Sequence, residues 1–153
     1  MIIRDMNFND ISGINLLVKE VFDKFMAADY TAEGIKNFYE FISPASLRER
    51  LSSGNLFFIA EKDGIPAGII ELRDNSHIAL FYVKESFHGK GIGRKLFEHA
   101  MQSPLFNPRD RMISVNSSAY AEPVYVKFGF VRNVPPMMKD GMAFISMQLK
   151  LPK

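Results

Sequence analysis

A chain of 153 residues fits one domain with a core of its own; 47% of it is apolar and 24% charged, an ordinary globular balance. Formal net charge is only +2, which argues against the dense basic stripe of a nucleic-acid-binding protein. There is no cysteine, so disulfides, thiolate metal sites and a cysteine nucleophile are excluded, and no apolar run is long enough to cross a bilayer.

The opening stretch MIIRDMNFND reads as a short strand without the apolar centre of a signal peptide, so the expectation is a cytoplasmic protein with no membrane partner. Ile11, Ile14, Val18, Val21, Phe22 and Phe25 then recur at helical spacing, with Asn7 or Asn9 available as cap. A second helix follows Thr31, with Ile35, Phe38, Tyr39 and Ile42 on one face. Ser43-Pro44 reads as a cap with proline in the first turn of a short third helix through Leu47 and Leu51. This N-terminal part is rich in aromatics. Phe25, Tyr30, Phe38 and Tyr39 suit an apolar slot, and Asp29, Glu33 or Glu40 suit a cation, but a core face with a solvated opposite side explains the same pattern.

The middle changes character. LFFIA (56–60), AGIIEL (67–72) and HIALFYV (77–83) read as three antiparallel strands, with Asp63-Gly64 as a hairpin turn and RDNS as the next. Then comes FHGKGIGRKLFEHA (87–100), a glycine-rich turn running into a helix whose apolar side is Ile92, Leu96, Phe97, Ala100 and Met101. MISVN (112–116) is the next strand, and the β-α-β unit so formed should place strands 77–83 and 112–116 in parallel with a right-handed crossover. A helix over about 119–128 follows, with Pro123 in its first turn and Gly129 as left-handed cap. FGFVRNV leads to a strand, and Asp140-Gly141 turns into MAFISMQLKL. There Ala143, Ile145, Met147, Leu149 and Leu151 alternate with polar residues, a strand able to pair or pack with a second copy, which allows a homodimer. With no repeat or linker, the expectation is one α/β domain over 1–153, a mixed sheet with helices on both faces.

The glycine turn is the chemical signal. A helix N-terminus offers unpaired N–H groups and a positive dipole end, and glycines permit positive φ and close approach, which together make an anion site. Lys84, Lys90, Arg94 and Lys95 surround it. The dinucleotide fingerprint fails in both registers, because Arg94 and Leu96 stand where the third glycine belongs. A phosphate-binding P-loop fails because Gly91, not Ser or Thr, follows Lys90. No histidine or carboxylate spacing imitates a metal ligand set, and no Gly-x-Ser-x-Gly elbow is present.

HGKGIGRKL resembles the acyl-CoA-binding loop of the GCN5-related N-acetyltransferases, Gln/Arg-x-x-Gly-x-Gly/Ala, with His88 in place of Gln or Arg, then Gly91 and Gly93. VNSSAYAEPVYVKFGF (115–130) is similar to a later segment of that family, through Asn116, Tyr125, Gly129 and Phe130. The resemblance covers most of the chain from about residue 55. It implies an acyl-CoA N-acyltransferase fold in which two strands splay apart around the cofactor. It further implies that acetyl-CoA is the acyl donor, without a metal, and that residues His88, Gly89, Lys90, Gly91, Ile92, Gly93 and Arg94 hold its pyrophosphate. Backbone at Val83 would bond the pantetheine and polarise the thioester, Asn116 would fix the arm, and Tyr125 would give the departing thiolate its proton.

The implied activity is direct acetyl transfer to a primary amine, on a small molecule or a peptide. A second class, an acyl-CoA-binding sensor without turnover, keeps the loop and needs no chemistry at Tyr125. The residues leave the general base open among Glu71, which sits on a neighbouring strand, His77, and water.

Overall fold

The computed structural model describes residues 1–152. β1 (Ile2–Asp5) leads into α1 (Ile11–Phe25), α2 (Ala32–Phe41) and α3 (Pro44–Ser52). The meander β2 (Leu56–Lys62), β3 (Ile65–Arg73) and β4 (His77–Val83) follows, then α4 (Ile92–Gln102), β5 (Met112–Ser117), α5 (Glu122–Phe128), β6 (Val131–Arg132), β7 (Met137–Lys139) and β8 (Met142–Lys150). The sheet runs β1-β2-β3-β4-β5-β8-β6, with β7 also on β8.

Local chemistry sets most boundaries. Thr31 and Ser43 cap α2 and α3 through their hydroxyls, and Pro44 occupies the first turn. Asn7 caps a single 3₁₀ turn, Phe8–Asp10, in a reciprocal capping box with Asp10, and α1 grows directly out of it. Asp63-Gly64 and Asp140-Gly141 have positive φ at both residues, the hairpin geometry that follows the twist of the strands. α5 starts at Glu122, three residues later than the periodicity suggests. The Ser118 hydroxyl accepts from the Ala121 N–H at 3.0 Å and holds the preceding residues in a turn, leaving Pro123 in the first helical turn. The strand β7 has no sequence signal of its own; three exposed residues pair with Met142–Phe144.

Strand alternation builds two cores. Phe57, Ile59, Ile69 and Leu80 pack against Ile14, Val18, Phe22, Phe38 and Leu47 of the N-terminal helices. Phe58, Ala60, Ile70, Leu72 and Ile78 face the other way, against Ile92, Leu96, Phe97 and Ala100 of α4 and Tyr125 of α5. Each large side chain buried this way contributes roughly 1.5–3 kcal/mol of transfer free energy. The expected mixed sheet with helices on both faces is what forms.

Two features position the site. β4 and β5 are parallel but pair only at His77↔Ser114 and Ile78↔Val115, after which they diverge. The last strand is not a free edge. β8 pairs with β5 from Ile145 to Lys150, and its other side carries β7 and β6. Strand pairing with a second copy through that edge is therefore blocked where those neighbours sit.

Candidate active site

The glycine turn lies where β4 ends. Gly91 caps α4 in the left-handed region, φ 77°, and brings no side chain to the cap. The first helical bond is Lys95 N–H to Gly91 C=O, so the N–H groups of Ile92, Gly93 and Arg94 have no partner within the helix. A Cβ built on Gly89 or Gly91 would meet nothing within 4 Å, so the turn faces open space. That space is a cleft of about 410 Å³, whose wall includes His88, Gly89, Gly91, Gly93 and Arg94 on one side and Tyr120, Tyr125 and Phe128 on the other.

Strand alternation aims β4 at the same gap. The Lys84 N–H donates to the Ala67 carbonyl on β3 at 2.8 Å, so the polar groups of Val83 point the opposite way, into the splay. The Val83 carbonyl is already occupied by His88 Nε2 at 2.7 Å. Its N–H points to the same side. His88 thus braces the turn against the strand, a role the Gln or Arg of the family pattern does not suggest from sequence. Because a carbonyl can only accept, Nε2 donates to it, and Nδ1 lies 3.4 Å from the Tyr120 hydroxyl. Phe25 stacks on Tyr120 at 4.5 Å, so α1 closes over this contact.

The basic residues divide. Arg94 and Lys127 line the cleft, with the Arg94 guanidinium 4.9 Å from the Phe128 ring centroid. Lys90 turns its ammonium toward Phe87, 5.6 Å from the ring centroid, and lines none of the cleft. Lys127 and Tyr120 were not singled out by the sequence reading, although Lys127 stands two residues from Tyr125.

Tyr125 is buried, with Phe81 and Phe130 edge-on at 6.0 and 5.3 Å. Burial pushes its phenol well above the ordinary tyrosine value, and no hydrogen bond opposes that. Among the described residues no fully buried side-chain polar atom lacks a partner, so this oxygen meets the open space that Tyr125 lines. It borders both the cleft and a gap of about 60 Å³ between β4 and β5, lined by Ile78–Tyr82 and Val115–Ser118.

Asn116 sits across that gap. It is absent from the wall of the first cleft and lines a second cavity of about 520 Å³ with His77, Tyr82, Phe38 and Phe144. It also lines the gap itself, and so stands where the splayed strands meet the second cavity. His77 shares the cavity; its Nδ1 is 2.9 Å from Ser114 Oγ, and its pKa is pushed down to about 4, first by burial and then by the charge of Arg73.

Glu71 is corrected as a base candidate. Its carboxylate is fully buried, with Arg50 Nε at 2.7 Å, Arg50 Nη2 at 3.1 Å and Asn55 Nδ2 at 2.8 Å, and it lines neither cavity. A carboxylate so committed has no free lone pair facing a substrate. The aromatic slot forms only in part: Tyr30, Phe38 and Phe41 reach the second cavity, whereas the Tyr39 hydroxyl bonds Asp23 at 2.5 Å and Phe25 leans on Tyr120.

Comparison with known proteins fits this geometry. No curated protein sequence matches the chain. Solved structures do. A GCN5-related N-acetyltransferase from Rhodopseudomonas palustris superimposes with TM-score 0.82 at 23% identity, over 98% of this chain and 95% of that one. PaiA N-acetyltransferase from Thermoplasma acidophilum, in complex with coenzyme A, gives 0.77 at 23% identity over 98% of each. Ribosomal-protein-alanine N-acetyltransferase from Brucella melitensis gives 0.67 at 19% identity, over 99% of this chain and 100% of that one. At such identities the likeness is one of fold. The sequence model of the acetyltransferase (GNAT) domain matches residues 26–151, most of the chain. The protein belongs to the GCN5-related N-acetyltransferase (GNAT) family.

Proposed function

We propose that the protein transfers an acetyl group from acetyl-CoA to a primary amine directly, in a ternary complex. One observation carries this reading. The unpaired amides at the start of α4, the Val83 N–H and the Tyr125 hydroxyl all open on connected space, with the second cavity beyond the splay. Acetyl-CoA supplies an activated thioester there. Structures of relatives that hold coenzyme A or acetyl-CoA support the choice of donor: PaiA of T. acidophilum, and a putative acetyltransferase, YncA, of Salmonella typhimurium.

The residues divide the work. Gly89 to Arg94 cradle a diphosphate with backbone N–H groups and the helix dipole, and Arg94 and Lys127 add charge at the rim. The Val83 N–H donates to a carbonyl oxygen in the gap, where negative charge develops during acyl transfer. Tyr125, protonated at neutral pH like any phenol, lines the cleft and the gap and supplies the proton to the departing thiolate, although burial makes it a weaker acid than an exposed tyrosine. Asn116 and His77 face the acceptor side. With Glu71 locked in an ion pair and His77 held at a pKa of about 4, too weak a base for an alkylammonium, the amine loses its proton to water in the second cavity.

The test is calorimetric titration with acetyl-CoA and CoA, together with thiol release in the presence of amines. Wild type should bind both. Gly91→Val should lose binding, because valine is strained at φ 77° and its side chain enters ligand space, while circular dichroism checks that the rest of the fold is kept. Tyr125→Phe should keep CoA affinity and lose kcat by about 10²–10⁴, the usual weight of a general acid. Failure of wild type to bind acetyl-CoA overturns the reading. Binding without turnover by any amine supports the sensor instead.

A further inference from the structure

The second cavity has a charge pattern that selects among amines. Its wall carries two cations, Arg73 at the end of β3 and Lys139 at the end of β7, against one carboxylate, Asp140. Asp74 approaches Arg73 only loosely, at 3.7 Å, and is turned to solvent. At His77, where burial lowers proton affinity most, Arg73 lowers it further than Asp74 raises it. Lys139 is held in place because the hairpin tip docks on α2. The Thr31 N–H donates to the Gly141 carbonyl at 2.9 Å, and Asn37 Nδ2 donates to the Asp140 carbonyl at 3.4 Å. The remaining wall is aromatic, with Tyr30, Phe38, Tyr82 and Phe144.

We infer that the acceptor is a primary amine that also bears a carboxylate, which Arg73 and Lys139 hold, with an apolar body against the aromatic wall. The inference rests on the acetyl-transfer reading. A dication would meet like charge in this cavity. A carboxylate meets two partners, and the same cations favour the neutral form of the neighbouring amine that transfer requires.

Phenylalanine and 2-phenylethylamine share a body and differ in the carboxylate. Leucine and isoamylamine form a second such pair. Direct binding by calorimetry and kcat/KM per neutral amine should favour the amino acid by at least about tenfold in one pair or both, as expected for a charge-assisted contact. The preference should shrink as salt rises. It should fall to within about threefold in Arg73→Gln/Lys139→Gln, whose exposed side chains can be changed without touching the core. Equal or better use of the decarboxylated amines overturns the inference. So does a preference that survives the double substitution, or turnover of none of these amines by protein that binds acetyl-CoA. Calorimetry with CoA alone reads the donor site separately: if that fails, the acetyl-transfer reading falls first and this one with it.

Discussion

The imidazole Nε2 of His88 lies 2.7 Å from the carbonyl oxygen of Val83, tying the glycine turn to the last residue of β4. Together with the backbone bonds Phe87 N–H to Lys84 C=O and His88 N–H to Glu85 C=O, this contact holds the turn that leads into α4. His88→Ala should weaken CoA binding about fivefold, the equivalent of one net hydrogen bond of about 1 kcal/mol. His88→Gln, whose amide can donate to the same carbonyl, should recover most of it. Calorimetry on the three proteins decides the matter.

Arg50 and Glu71 should behave as a structural pair. Besides gripping Glu71, Arg50 donates to the Phe41 carbonyl at 2.7 Å and to Ser46 Oγ at 2.5 Å, linking the start and end of α3 to β3. Arg50→Met leaves a buried carboxylate without its cation, with only Asn55 still bonded to it, and should cost roughly 3–5 kcal/mol, read by urea denaturation. Arg50→Met/Glu71→Leu should restore much of that. Glu71→Gln should change stability without moving the pH profile of acetyl transfer; a lost acid limb would reinstate Glu71 as the base.

His77 should make the protein acid-sensitive. Its pKa is about 4 in the folded chain and near 6.5 when unfolded. The unfolded chain therefore binds the extra proton between those values. The stabilisation from neutral His77 is complete above about pH 6.5 and is lost as pH falls through about 4. The melting temperature should drop across that window in wild type, and less steeply in His77→Asn, which keeps a polar contact to Ser114. Parallel curves would show that His77 contributes nothing to the acid limb.

Gly34→Ala should destabilise the protein, although alanine is worth up to about 1 kcal/mol more than glycine inside an exposed helix. The new Cβ would collide with the Gly141 backbone, which docks on the start of α2. The hairpin must then lift, carrying Lys139 away from the second cavity. The expected readouts are a lower melting temperature and a raised KM for the acceptor, with CoA affinity unchanged.

What the sequence by itself determined is what is decided within a few residues. The caps at Thr31 and Ser43, the turns at Asp63-Gly64 and Asp140-Gly141, the apolar side of α4 and the glycine turn all follow from local φ/ψ preference and side-chain spacing. The resemblance from His88 to Gly93 and from Asn116 to Phe130 was legible because each pattern lies within one short stretch of chain. Tertiary structure decided where those pieces meet. Glu71 reads like a solvated strand carboxylate until Arg50, 21 residues away, turns out to cover it. The His88 contact with Val83, the placement of Asn116 between the gap and the second cavity and the pairing of β8 on both sides depend on how the strands diverge and dock. The second cavity needs Thr31 and Gly141, 110 residues apart, in contact. Burial and charge at such points are properties of the neighbours a folded chain supplies, and no short stretch of sequence carries them.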